Sequence, residues 1–269
     1  IVPYVRGREK SRTIESVVSE VEQLVSGGVR EVTLLGQNVN SYGRNIYGEP
    51  RFAELLRRVA DTGVERIRFT SSNPKDLSDA TIAAMAETPA VMPHLHLAVQ
   101  SGSTRVLRAM NRSYTREEYL ELVGRLRAAM PGLALSTDII VGFPGETEAQ
   151  FEDTLALVRE IGFDSLFTFA FSRRKGTRAY DMKGQLSTAE KKERLARLMQ
   201  AQQEVSLRRN RLLLGKELRL LVEAPGREQD SLLQCRTEGG KLCYIPGPHS
   251  LIGQFVTARV TQAKTFVLY

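Results

Sequence analysis

Residues 136–155, STDIIVGFPGETEAQFEDTL, run from an apolar, β-branched strand through a Gly-Phe-Pro-Gly turn into an amphipathic helix. Two glycines and a proline between a buried strand and a helix cap let backbone approach a flat ligand closely. Glu146 and Glu148 then stand at a helix N-terminus, where negative charge is favoured. An ordinary strand-to-helix turn has the same appearance, so the motif takes its meaning from what surrounds it.

Working outward, the same unit recurs: a short apolar strand, a polar or Gly-rich cluster, then an amphipathic helix. The strands read EVTLLGQN, RIRFTSSN, LHLAVQSGS, LALSTDIIVGFPGE and FDSLFTFAFSRRKG. Helices are predicted near 13–26, 52–61, 78–87, 115–130 and 147–161. In the fourth, Leu122, Val123, Leu126 and Met130 share one stripe, and Pro131-Gly132 closes it. This alternation predicts an α/β fold with a parallel sheet. A helix comes first, so the expectation is a barrel or half-barrel whose opening strand lies upstream of Ile1. The polar clusters all fall at strand C-terminal ends: Gln37-Asn38, Ser71-Ser72-Asn73, Gln100 to Ser103, Asp138 with Gly142 to Glu146, and Ser172-Arg173-Arg174. That is where βα barrels collect their functional residues, so a ligand-binding mouth is expected there.

The 269 residues carry a formal net charge of +7, and residues 208–269 hold ten Lys/Arg against five Asp/Glu. Arginine dominates the basic residues, 29 to 9 over lysine, which suits phosphate and base contacts as well as an Arg-rich composition in general. No run of eighteen apolar residues and no signal-peptide layout occurs, which points to a cytoplasmic protein without a membrane partner. Cys235 and Cys243 are too few for a disulfide framework and are not spaced for zinc or iron–sulfur ligation. They flank TEGGK, read as a hairpin with Gly239-Gly240 at its tip. In that register Arg236 faces Cys243, and the thiols lie on opposite faces as small buried hydrophobes. His94 and His96 share one strand face, but no third ligand is near, which favours packing. No P-loop, metalloprotease motif or Ser/His/Asp order is present.

Beyond the fifth unit, the stretch 187–212 has the cap, periodicity and charge of one long helix, placed at 187–210. Short alternating strands follow, LRLLVEA, SLLQCRT, KLCYIPG and QFVTARVTQA, separated by Gly/Pro turns. They predict a small basic antiparallel β-barrel, with Tyr244, Phe255 and Phe266 available for core or stacking.

The ordered set IVPYVRGRE, EVTLLGQNVNSYG, IRFTSSNPKD, LHLAVQSGSTRVLRAMNRSYTREEYLELV, STDIIVGFPGETEAQFEDTL and FSRRKGTRAY closely resembles the radical S-adenosylmethionine methylthiotransferases, in particular their MiaB-type tRNA branch. The last 60 or so residues are similar to that family's TRAM module. The resemblance implies a radical SAM core domain over 1–207 that includes the long helix, and a TRAM RNA-binding domain over 208–269. It also implies that the chain is truncated. In the family a CxxxCxxC motif, whose thiolates hold a 4Fe–4S cluster, comes just before the segment matching Ile1 to Glu9. An N-terminal domain holding a second, auxiliary cluster would be missing as well.

The activity implied is addition of a methylthio group to C2 of N6-isopentenyladenosine beside the tRNA anticodon, with S-adenosylmethionine and two 4Fe–4S clusters as cofactors. A fragment holding neither cluster is expected to be catalytically inactive. Carried over by position, Asp138, Ile140, Gly142, Gly145 and Glu146 match the strand-five motif whose apolar residue backs the adenine. Gln100 and Ser101 match the pair facing the ribose and methionine, and Gln37 and Asn38 the place that holds the methionine amine. Arg6, Arg8, Arg173 and Arg174 would meet RNA at the rim, and Arg236 in the TRAM module. The implied partners are the tRNA anticodon stem-loop and an electron donor such as flavodoxin or ferredoxin, with the protein a monomer. AFSRRKGTRAY departs from the family's commoner YSPRPGT form. Two other readings stay open: a sister enzyme acting on a ribosomal-protein aspartate or on threonylcarbamoyladenosine, and a non-catalytic RNA-binding protein.

Overall fold

The computed structural model describes residues 7, 10–70, 72–226 and 232–269. Arg6, Arg8 and Ser71 lie outside the described residues.

Among the described residues, five parallel strands carry the first part of the chain. They are β1 (Glu31–Leu34), β2 (Arg66–Phe69), β3 (His94–His96), β4 (Ala134–Val141) and β5 (Ser165–Ala170). β1 pairs with β2, and β3, β4 and β5 form a second parallel ladder. Isolated parallel bridges at Ile67 with Val91 and at Ser72 with Leu97 join the two ladders, so the strands follow one another in chain order. The helices are α1 (Ile14–Ser26), α2 (Phe52–Ala60), α3 (Asp79–Glu87), α4 (Arg116–Ala129), α5 (Glu148–Ile161) and α6 (Thr188–Arg211), and all but α2 start where a side chain accepts from a free N–H group. Thr115 with Glu118, Thr147 with Gln150 and Ser187 with Glu190 form capping boxes at α4, α5 and α6. The arrangement is the expected partial α/β barrel.

Period-two alternation divides each strand between two environments. Val32, Ile67, Phe69, Leu95, Leu135 and Ile139 are buried in the core they share with the helices. Arg66, Arg68, His94, His96, Ser136, Asp138, Ile140, Phe167 and Phe169 have the opposite parity and line the face turned away from the helices.

β6 (Glu217–Pro225), β7 (Leu232–Thr237), β8 (Leu242–Pro246) and β9 (Phe255–Arg259) form a curled antiparallel sheet in the order β8-β7-β6-β9, with a bulge between Val222 and Ala224. Bridges of Leu268 to Cys243 and Ala263 draw the last residues across its open side. Its core is separate: Leu220, Val222, Leu233, Cys235, Cys243, Ile245, Val260 and Leu268.

One register corrects the sequence reading. Cys235 pairs directly with Cys243, and Arg236 with Leu242, so the two thiols share one buried face. The loop has three residues, not two. Thr237 N–H donates to Lys241 O, and Gly240 takes the left-handed conformation at φ 79°, a glycine bulge that moves the pairing by one residue.

The tip of that hairpin is seated against the N-terminal ends of the parallel strands. Arg66, fully buried, donates to the carbonyls of Arg236 (3.0 Å) and Arg219 (2.8 Å), and its guanidinium lies 4.6 Å from the centre of the Phe255 ring. Arg68 donates to Glu238 O and Thr237 O at 2.9 and 2.8 Å. A Cβ at Gly239 would meet Ala134 Cβ at 3.3 Å and one at Gly240 would meet His94 Cδ2 at 3.3 Å, so these glycines let the tip approach closely.

Candidate functional site

The hairpin closes one end of the helix-free face, and the opposite end carries most of the residues singled out from sequence. In register across β4 and β5, Asp138 stands beside Phe167 and Ile140 beside Phe169. His96 Nε2 lies 3.5 Å from Asp138 Oδ2, its Nδ1 is 3.1 Å from Ser136 Oγ, and its ring meets Phe167 edge-on at 5.6 Å. Phe167 and Phe169 are 54% and 51% exposed. Large aromatics left half open beside a carboxylate, an imidazole and Ile140 contribute little to the core and form a surface suited to a flat, polar-edged molecule.

The turn after β4 is held from behind. Gly142 and Gly145 take positive φ (72° and 80°), and Gly142 N–H donates to Glu146 Oε2 at 2.7 Å. The same oxygen pairs with Arg194 of α6 at 2.7 Å, and Arg194 also donates to Glu146 O at 3.0 Å. Burial pushes the Glu146 carboxyl above its ordinary range, while the Gly142 N–H and Arg194 pull it down. Glu146 therefore shapes the turn, and its carboxylate is engaged within the protein. Arg194 was not visible from sequence, because its partner lies 48 residues away.

The other positions separate. Gln100 continues β3 alongside β4, with φ 75°, its N–H on Asp138 O and its carbonyl accepting from Ile140 N–H. A non-glycine residue in that region costs about 1–3 kcal/mol, and here the β4 pairing holds it. Ser101 is buried, and its hydroxyl lies among Ser103 N–H and the Thr154 hydroxyl of α5. Gln37 and Asn38 line a cavity of ≈ 710 Å³ beside β1, apart from the β4–β5 surface. Asn38 donates to Asp76 at 2.7 Å, leaving its buried Oδ1 without a partner. At the end of β5, Arg173 stacks on Tyr180 at 4.5 Å and donates to its carbonyl, whereas the Arg174 side chain is exposed. Arg236 forms a two-point ion pair with Glu223 at 2.7 and 2.9 Å.

A profile described as "Radical SAM superfamily" matches residues 1–158, and one described as "TRAM domain" matches residues 211–269. The chain belongs to the radical SAM superfamily. It is 53% identical over all 269 residues to a Moorella thermoacetica protein named tRNA-2-methylthio-N(6)-dimethylallyladenosine synthase, and 50% identical to a Clostridium novyi protein of the same name. The chain spans 61% and 60% of the lengths of those relatives. Among solved structures, it superposes on methylornithine synthase (PylB) with a TM-score of 0.50 at 18% identity, covering 72% of this chain and 55% of that one. The radical SAM methyltransferase TsrM of Kitasatospora setae gives a TM-score of 0.50 at 18% identity over 62% and 32% of the two chains. These two share the fold.

A radical SAM protein implies S-adenosylmethionine and a 4Fe–4S cluster, and the residues present fit the two differently. The half-open Ile140–Phe169 surface with Asp138 at its edge fits a nucleoside. The cluster needs accessible thiolates. Cys235 and Cys243 are buried in the second core, where burial pushes their thiols up to about 12 and about 11. They do not fit that role, and among the described residues no three His, Cys, Asp or Glu side chains are grouped to hold a metal.

Proposed function

We propose that this chain is the barrel and RNA-binding part of a tRNA methylthiotransferase that modifies C2 of N6-isopentenyladenosine next to the anticodon. The observation that carries the reading is the identity of 53% with a synthase of that name, running unbroken through the barrel and the second domain. We place the domain break at 207/208, within the last turns of α6.

When bound, S-adenosylmethionine supplies the radical and the methyl group that replacement of an aromatic C–H requires. In our reading Ile140 and Phe169 form the apolar wall for its adenine and Asp138 accepts from its hydroxyls. Gln37 and Asn38, beside β1 and apart from that wall, are the further candidates for its amino-acid end, while Gln100 and Ser101 fix the backbone at the end of β3. The Gly142–Gly145 turn, held by Glu146 and Arg194, keeps its shape without reorganisation. Arg173 and Arg174 stand at the mouth, where guanidinium groups suit tRNA phosphates, and Arg6 and Arg8 are further candidates for RNA contact. Arg236 contributes by fixing β6 to β7. The tRNA anticodon stem-loop is the substrate, a flavodoxin- or ferredoxin-like protein the electron donor, and a monomer in the cytoplasm the working form. Among the described residues no helix is long and apolar enough to cross a membrane.

The test is anaerobic reconstitution of the full-length protein with isopentenylated tRNA, reductant, a sulfur source and S-adenosylmethionine. Formation of the methylthio nucleoside is expected. Intact clusters that leave the nucleoside unchanged would overturn the reading.

A further inference from the structure

The second domain is basic, yet most of its positive charge is spent inside the protein. Arg219 pairs with Glu65, Arg236 with Glu223, Arg259 with Glu217, and Arg209 and Lys241 with Asp164. Among the described residues from 208 onward, the cations without a carboxylate partner are Arg208, Arg211, Lys216 and Lys264. Three of these lie within six residues of Asn210. The fourth is tied to it, because Asn210 Nδ2 donates to Lys264 O at 2.8 Å and Thr265 O at 3.1 Å.

Lys264 opens a tight turn, its N–H donating to Val267 O at 2.9 Å, and the turn leaves Phe266 69% exposed. The chain then runs back beside β8, where Tyr244 N–H donates to Leu268 O. Leu268 and Cys243 point into the core, so Tyr269 and Tyr244 point out. Their ring centres are 6.0 Å apart at 32°, and Lys264 Nζ lies 4.9 Å from the centre of the Tyr269 ring. Neither phenol hydroxyl has a hydrogen-bond partner among the described residues. Two half-open rings side by side, with an unpaired ammonium over one of them, match the way unpaired nucleic acid is bound: bases on ring faces, phosphate on a cation.

We propose that the outer face built from Tyr244, Tyr269 and Lys264 is a stacking platform for unpaired RNA bases, Lys264 taking the phosphate between them. The proposal rests on the tRNA reading above and names the surface through which the second domain grips the RNA. Asn210 and the Lys264–Val267 turn hold the platform on the end of α6, so it is fixed relative to the barrel mouth.

The test measures binding of the 269-residue chain to two fluorescent RNAs, a short unpaired strand of mixed sequence and a blunt duplex of the same length. Tyr244→Ala and Tyr269→Ala should each weaken binding to the unpaired strand about tenfold and leave duplex binding unchanged. Tyr244→Phe and Tyr269→Phe should bind as the parent does. Lys264→Glu, a surface change that keeps the fold, should weaken both RNAs, and Lys264→Ala should reduce the slope of log K against log salt by about 1. Melting temperatures of the variants check that folding is retained. If the double alanine variant, folded, holds the unpaired strand as tightly as the parent does, the platform is overturned and that face is left to a protein partner. Equal loss on strand and duplex would also overturn it, since stacking discriminates between them. If the parent chain binds neither RNA, the tRNA reading itself falls together with the platform.

Discussion

Replacing Arg66 by methionine should loosen the second domain from the barrel. The side chain is fully buried and makes two charge-assisted hydrogen bonds, to Arg236 O and Arg219 O, while its guanidinium packs on Phe255. Each such bond contributes about 1.5–3 kcal/mol, and its loss strands a buried carbonyl. Methionine fills the volume and regains about 1.5–3 kcal/mol by burial. The net cost is then about 3 kcal/mol, which for a chain of this size lowers the melting temperature by about 6–12 °C. The parent, with its two cores locked through this contact, should unfold in one urea transition. In the variant the second domain should unfold first, seen as β-sheet signal lost before helix signal. A variant with one transition and a midpoint within about 0.5 kcal/mol of the parent would refute the reasoning, because it would mean that Arg66 couples nothing.

Other perturbations act at single places. Gly102→Ala would put a Cβ 2.5 Å from Thr154 Cα and 2.6 Å from Asp153 O, both backbone, so a loss of about 3 kcal/mol or more is expected in urea unfolding. Arg194→Met leaves Glu146 buried without its cation and should cost about 3–5 kcal/mol, while adding Glu146→Gln should recover part of that loss, read from a double-mutant cycle. His94, held down to about 4 by burial first and by Arg68 second, stays neutral in the fold and protonates more readily when unfolded. Stability should therefore fall as pH drops from about 6.5 to about 4, by about 2–3 kcal/mol, and His94→Gln should flatten that stretch of the curve. Cys235 and Cys243 should resist thiol reagents in the native chain and react fully after unfolding.

The parallel barrel was legible because its signals are local. Capping residues such as Thr115, Thr147 and Ser187 and the apolar stripe of α4 lie within a few residues of the elements they define. The grouping of Asp138 and Ile140 also followed from their strand. What escaped depends on contacts across long separations. Arg66 and Arg68 belong to a short strand, yet they meet carbonyls about 170 residues away. Arg194 is one of many charges on the long helix, and it is the partner of Glu146. Phe167 and Phe169 stand half open, and nothing in the alternation of β5 tells an open face from a packed one. The thiol register failed on a single residue of loop length, which one left-handed glycine decides.

The most direct measurement is the nucleoside content of total tRNA from cells with the intact gene, without it, and with it restored, read by mass spectrometry. The account predicts that methylthio-isopentenyladenosine disappears on deletion while isopentenyladenosine accumulates, and that the restored gene reverses both changes. Unchanged levels of the methylthio nucleoside in the deletion strain would contradict it.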